Sequence, residues 1–289
     1  RDYRFNCNLS IDLENNKINR NYTIFTYIKW LFKTIQKTSN LSWLTPLFFP
    51  FFYYSNLNNI KSVHKVDRII TVSDYIKKEL IKSNIPKDII KTILVPHPNW
   101  EYHSFVHKKY IRIFTAGVLT ESKGIDLLIK AMKKVISKKF NIKLFIAGEG
   151  SYKDKLERLV FQYKLEEHVV LLGRLNYKRM KTEYINSDFV VVPSVWPEPL
   201  SRVIIEAFTI GRPVIATNTG GSSEIVLNGE TGFLVEPFNK EDMSNKIIKL
   251  ASNKKLINKL GGNSNRLINK IANPNKSMQK HLEFYKKIA

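Results

Sequence analysis

From residue 111 onward, short apolar runs alternate with stretches whose apolar positions return every three or four residues. The runs at 111–116, 143–147, 169–172, 189–192 and 214–217 are too short for buried helices and are rich in Val, Ile and Phe, so they predict buried strands. Between them the spacing predicts helices at 125–137, 152–164, 178–186 and 202–210. Strands regularly separated by helices predict a parallel sheet covered on both faces. After 217 a short helix and then a tight turn at 228–232 leading into a last strand are expected, and no element is assigned to 236–272. Asn273-Pro274 is a helix-start signal, and Met278, Leu282, Tyr285 and Ile288 follow at roughly helical spacing.

The first 110 residues are less regular. Residues 67–72 predict a buried strand, Ser73 an N-cap, and 74–82 a helix with Asp74 in its first turn. Residues 93–95 predict another strand, stopped by Pro96, and 98–109 form a polar and aromatic connection. The one conspicuous apolar segment, 41–54, is shorter than the roughly 20 residues of a spanning helix, and Pro46 and Pro50 interrupt it. It is either core or an aromatic surface for lipid. The expected organisation is a partial first domain at 1–110, a second domain at 111–272, and a helix at 273–289 packing back toward the first.

Composition changes this picture little, but charge adds a question. The apolar fraction of 43% and aromatic fraction of 12% suit a globular protein. The single cysteine, Cys7, excludes an internal disulfide. The net charge of +22 would suit nucleic acid, an anionic membrane face or a phosphorylated ligand. The excess is spread along the chain with no concentrated basic arm, so a composition rich in Lys, Asn and Ile throughout explains it as well, and nucleic acid is not expected as a partner. His97, His103 and His107 do not have a usual zinc spacing, and no metal is expected.

In a parallel α/β sheet ligands sit beyond the carboxyl ends of the strands, so those loops hold the candidate chemistry. The first runs from Gly117 to Lys123-Gly124 and opens a helix. Backbone N–H groups and the positive end of a helix dipole form a seat for phosphate, to which Lys123 adds a full charge; a turn made for packing explains the same residues. The second loop, 193–201, carries Glu198, and Glu206 follows eight residues later in a largely apolar helix. A carboxylate in such surroundings needs hydrogen-bond donors, and sugar hydroxyls are suitable ones. A helix-terminal acid beside an exposed one is the plainer alternative. The third loop, 217–224, contains Gly220-Gly221 and again leads into a helix.

Taken in order, these blocks resemble the family 4 glycosyltransferases of the GT-B fold. Glu198 and Glu206, with Pro199-Leu200 between them and Ala207 after, are similar to that family's E-x7-E signature. Gly117–Gly124 resembles its phosphate loop, and 220–226 and 229–235 resemble the blocks that follow. The resemblance covers 67–289 well and implies an α/β GT-B architecture, two Rossmann-like domains with parallel sheets, the N-terminal one truncated. It implies a retaining, metal-independent transfer of a hexose from a UDP- or GDP-sugar to a glycan or lipid-linked acceptor, with no cofactor beyond the donor. By the same resemblance Glu198 is the catalytic carboxylate beside the transferred sugar. Gly117, Lys123, Leu200, Ser201 and Glu206 bind the donor, Lys123 at the diphosphate and Glu206 at the ribose.

Three departures accompany the resemblance. Val118 stands where arginine is usual, with Arg112, Arg174 and Arg202 as candidate substitutes. Ser201 stands where glycine is usual. Arg1 begins a segment that resembles one commonly opening His-Asp-Tyr. The expected location is cytoplasmic and peripheral to an anionic membrane surface. The alternative is a non-catalytic nucleotide-sugar-binding or partner subunit, or an inactive fragment.

Overall fold

A computed structural model describes residues 10–12, 17–19, 66–104 and 109–286. The expectations that fall on 41–54, Cys7, Arg1 and His107 lie outside those residues. The described residues divide into two compact units, one containing 10–12, 17–19, 66–71 and 77–91, the other 72–76, 92–104 and 109–286.

In the first unit β1 (Ser10–Asp12) and β2 (Lys17–Asn19) pair antiparallel. Further on, β3 (Ile69–Thr71) pairs with β4 (Ile90–Thr92), and α1 (Asp74–Lys82) lies between them in sequence. The Ser73 hydroxyl accepts the Ile76 amide at 3.3 Å, as its cap position predicts. The strand expected at 93–95 is displaced three residues upstream. Ile90 and Ile93 are both buried, but Pro96 and Pro98 supply no amides. The ladder forms on the alternating Ile90-Lys91-Thr92, and 93–95 continue outside it, the Leu94 carbonyl accepting the Ser277 hydroxyl at 3.1 Å.

The second unit has the predicted architecture. Its strands are β5 (Ile111–Ala116), β6 (Ile142–Ala147), β7 (Val169–Gly173), β8 (Phe189–Val192), β9 (Val214–Thr217) and β10 (Gly232–Val235). They form one sheet in the order β10-β9-β8-β5-β6-β7, parallel throughout. The helices are α2 (Ile125–Ser137), α3 (Lys153–Gln162), α4 (Tyr177–Asn186), α5 (Arg202–Ile210), α6 (Ser222–Ile225), α7 (Lys240–Ala251), α8 (Lys254–Ile271) and α9 (Pro274–Lys286).

Strand alternation sorts the core into two layers. Ile113, Leu144, Val191 and Ile215 face one way, onto Leu128, Met132 and Ile247 of α2 and α7. Their neighbours Phe114, Phe145, Val190 and Val214 face the other way, onto Tyr184, Phe208 and Ile268 of α4, α5 and α8. Nearly all of these side chains are fully buried, each contributing about 1.5–3 kcal/mol by leaving water. That is enough to hold a two-faced parallel sheet, whose pairing alone is weak.

Two helices, α7 and α8, appear where no element was assigned. Their signals were present: Asn239 and Asn253 cap them, accepting the amides of Asp242 and Leu256 at 2.9 Å each. Met243, Ile247, Leu250 and Ile257, Leu260, Ile268 follow at helical spacing and are buried. The many lysines and asparagines between them obscured that period.

One buried cation braces the lower part of this unit. Arg212, 2% exposed, donates to the carbonyls of His103 (2.6 Å), Ile185 (2.9 Å) and Tyr184 (3.3 Å). Burial pulls its pKa down to about 10, so the guanidinium stays charged at neutral pH and those carbonyls stay satisfied.

Candidate active site

The carboxyl ends of β5, β8 and β9 bring three loops into direct contact. The β5 loop closes in a 3-10 turn, Glu121–Lys123, and Gly124 then takes the left-handed conformation, φ 63°, before α2 starts. A side chain there would lie closer than 3.0 Å to the Pro193 carbonyl oxygen, so only glycine lets the two loops meet. The amides of Val195 and Trp196 donate to the Ser122 carbonyl at 3.0 and 3.1 Å, and the Ser194 hydroxyl donates to it at 3.2 Å. From the other side, the Gly221 amide donates to the Glu198 carbonyl at 2.8 Å. Thr219 Oγ1 donates to the Ser194 carbonyl at 3.3 Å. Gly220, at φ 55°, lies against the Glu198 backbone so closely that a Cβ would overlap it.

This stitching places Lys123 Nζ 2.8 Å from Glu198 Oε1, although 75 residues separate them in sequence. Two of the sequence-derived site residues therefore form one ion pair. The Lys123 side chain is 32% exposed and that of Glu198 14%, so the pair is about one-third in water at one end and sheltered at the other.

Glu206 does not join that pair. It sits on the second turn of α5, where Tyr184 donates its hydroxyl to Oε2 at 2.8 Å. Arg202 Nε stands 3.7 Å from Oε1, with most of the arginine in solvent. Burial raises the Glu206 pKa, while the Tyr184 hydrogen bond and the Arg202 charge partly offset it. The Tyr184 hydroxyl is likewise pushed well above its ordinary value, first by burial and then by the Glu206 charge. Tyr184 was not singled out from the sequence. No local pattern links it to a carboxylate 22 residues away, and only the packing of α4 on α5 does so.

The raised Glu206 pKa gives a signed prediction for the protein measured without nucleotide. The folded state disfavours the ionised carboxylate, so this group's contribution to stability is fully present below the unfolded pKa. It is lost as pH rises through the folded value. Glu206→Gln should therefore match the parent in urea denaturation near about pH 4 and exceed it near about pH 7. A glutamine variant that is less stable at the higher pH would show that the ionised form is favoured instead.

The remaining predicted residues surround these carboxylates. Leu200 is half-buried and Ser201 is buried at the N-cap of α5, where its side chain makes no capping hydrogen bond. The first amides of α5 therefore receive no cap from the Ser201 side chain. Gly117 donates its amide to the Ala147 carbonyl at 3.0 Å. A Cβ at Gly117 would meet nothing within 4 Å among the described residues, so it is the backbone, at φ 155°, and not packing that favours glycine there. Glu224, at the third loop, accepts the amides of Asp74 (2.9 Å) and Tyr75.

The candidate substitutes for a cation at Val118 separate clearly. Arg112 belongs to the opposite end of β5, where it pairs with Glu183 and lies 3.3 Å over the Phe145 ring. It is committed elsewhere. Arg174 is exposed at the end of β7, and Arg202 stands beside Glu206. Val118 itself is 60% exposed.

Among the described residues there is no group of three His, Cys, Asp or Glu able to hold a metal. None of the helices there is long and apolar enough to cross a membrane.

Comparison with known proteins places this geometry in a family. An uncharacterized glycosyltransferase of Methanocaldococcus jannaschii is 33% identical over 228 residues, covering 77% of this chain and 58% of that protein. A second from the same organism is 35% identical over 198 residues, covering 63% and 50%. The chain thus spans between half and three-fifths of the length of these relatives. Among solved structures, a sucrose-phosphate synthase from Thermosynechococcus elongatus superposes with a TM-score of 0.73 at 22% identity, over 81% of this chain and 62% of that one. Anabaena HepE in complex with UDP-glucose superposes with a TM-score of 0.72 at 20% identity, over 81% and 68%. The fold is therefore the expected α/β GT-B type. The model of the family "Glycosyl transferases group 1" matches residues 99–267, the span that contains the three stitched loops and both glutamates, and the chain belongs to that family.

Proposed function

We propose that this chain supplies the donor side of a retaining, metal-independent glycosyltransferase of the family 4 type. It would move a hexose from a UDP- or GDP-sugar to a glycan or lipid-linked acceptor at the cytoplasmic face of an anionic membrane. The observation that carries this reading is the Lys123–Glu198 pair at the carboxyl edge of a parallel sheet, with Glu206 held separately on the helix that follows. A sugar nucleotide needs a cation for its diphosphate and carboxylate acceptors for its hydroxyls, and this edge offers both.

In this reading Lys123 and the N-terminus of α5 stabilise charge on the departing diphosphate. Glu198 orients the sugar and faces its positively charged anomeric carbon in the transition state. Glu206 accepts the ribose hydroxyls. Most of the rate enhancement would then come from position and electrostatics. What similar proteins bind or make agrees with this chemistry. Anabaena HepE has been solved with UDP-glucose, and a capsular polysaccharide biosynthesis glycosyltransferase of Staphylococcus aureus is 27% identical over 69% of this chain.

A second reading, a non-catalytic nucleotide-sugar-binding subunit, draws on one feature. The exposed Val118 replaces a cation that the family usually has, and Arg112 cannot stand in for it. Calorimetry of the purified chain with UDP and GDP, followed by donor hydrolysis and transfer assays, separates the two. Binding with turnover supports the first reading, and binding without either activity supports the second. A folded chain that binds neither nucleotide is incompatible with both.

A further inference from the structure

The site as folded neutralises itself. Lys123 and Glu198, which the proposed function assigns to different parts of the donor, satisfy each other at 2.8 Å. Their loops are fixed by main-chain hydrogen bonds from Val195, Trp196 and Gly221, so the approach is built into the backbone. Glu198 is the more sheltered partner, and a sheltered carboxylate that loses its cation needs other donors.

We infer that donor binding is a partner exchange: the Lys123 ammonium turns from Glu198 to the diphosphate, and the freed Glu198 carboxylate takes hydroxyls of the attached sugar. The inference rests on the proposed function and adds a specificity role for Glu198. An intact sugar nucleotide compensates both groups. A bare nucleoside diphosphate takes Lys123 but leaves Glu198 without its cation and beside a new negative charge. The site therefore favours the intact donor over its own product. After transfer, Glu198 reclaims Lys123 as the sugar leaves, which promotes release of the diphosphate. No bond is made or broken in this exchange, and charge is conserved within the site.

The experiment is a double-mutant cycle read by calorimetry on the full chain, with UDP and GDP as probes beside UDP-glucose and GDP-mannose. Glu198→Gln removes the competitor for Lys123 while keeping the side chain's shape. It should tighten binding of the bare diphosphate about threefold to tenfold, a modest gain because the pair is partly in solvent. It should also narrow the preference for the sugar nucleotide. In a Lys123→Ala background the same change should tighten the diphosphate by clearly less, since only the like-charge repulsion is then left to relieve. If Glu198→Gln does not fold, Glu198→Asp, whose shorter arm loosens the pair, should shift both affinities in the same direction by less. Unchanged or weaker diphosphate binding by these variants overturns the exchange while leaving the donor-site assignment intact. So does a gain that is undiminished without Lys123. A folded parent that binds none of the four probes overturns the assignment and the exchange together.

Discussion

Lys123→Ala should lower affinity for UDP or GDP by about 2 kcal/mol, roughly thirtyfold, and leave the corresponding nucleosides within a factor of about two. Only the diphosphate presents charge to the ammonium, and hydrogen bonds to charged groups are worth about 1.5–3 kcal/mol. The loss stays in the lower part of that range because the parent must first release Glu198, 2.8 Å away, whereas the alanine variant has no pair to break. The folded state should change little, since the Lys123 side chain is one-third exposed and its ion pair is a minor source of stability. Calorimetry with diphosphate and nucleoside side by side decides the matter. Equal losses for the two ligands would assign Lys123 to shaping the loop and remove it from the diphosphate site.

The second large effect belongs to Gly124. Gly124→Ala should destabilise the protein by about 2–4 kcal/mol, through two costs that act together. Alanine in the left-handed region costs about 1–2 kcal/mol, and its Cβ would overlap the main-chain oxygen of Pro193, which sits at the end of a central strand and cannot yield freely. The same displacement should carry Ser122 away from the amides of Val195 and Trp196 and part Lys123 from Glu198, so diphosphate affinity should fall as well. Gly262→Ala is the matched control. Gly262 lies within α8, where an added Cβ would meet nothing within 4 Å, so alanine there should add about 0.5–1 kcal/mol through helix propensity alone. Urea denaturation of the two variants should give shifts of opposite sign. A Gly124→Ala variant as stable as the parent would mean that the contact between the β5 and β8 loops is not required.

Lys123 and Gly124 differ in how much of their role can be seen along the chain. That Lys123 follows a glycine-bounded loop into a helix was legible there, because the apolar run of β5 and the period of α2 are local signals. So were the spacing of Glu198 and Glu206 and the resemblance that they carry. The close approach of Gly124 to Pro193 was not, since it joins two loops far apart in sequence. The capping role of Ser73 was local and is observed. The displaced β4 and the unassigned α7 and α8 show where local reading weakens. Around 90–95 Ile90 and Ile93 are both buried, so local apolar pattern does not by itself select which residues pair. In 240–271, polar residues dilute a period that only burial makes plain.

The sequence by itself determined the alternating strands and helices, the loops that carry charge, and the two glutamates, because periodicity, capping and turn chemistry act over a few residues. Tertiary structure alone decided which charges far apart in sequence meet. The sheet order β10-β9-β8-β5-β6-β7 sets the first strand of this unit beside the fourth. That adjacency brings Lys123 to Glu198, while the packing of α4 on α5 buries Tyr184 against Glu206. It also holds Arg112, which the sequence left available for a phosphate, against Glu183 at the far end of its strand. Ion pairs and buried hydrogen bonds depend on distance in space, and strand order sets that distance independently of separation along the chain.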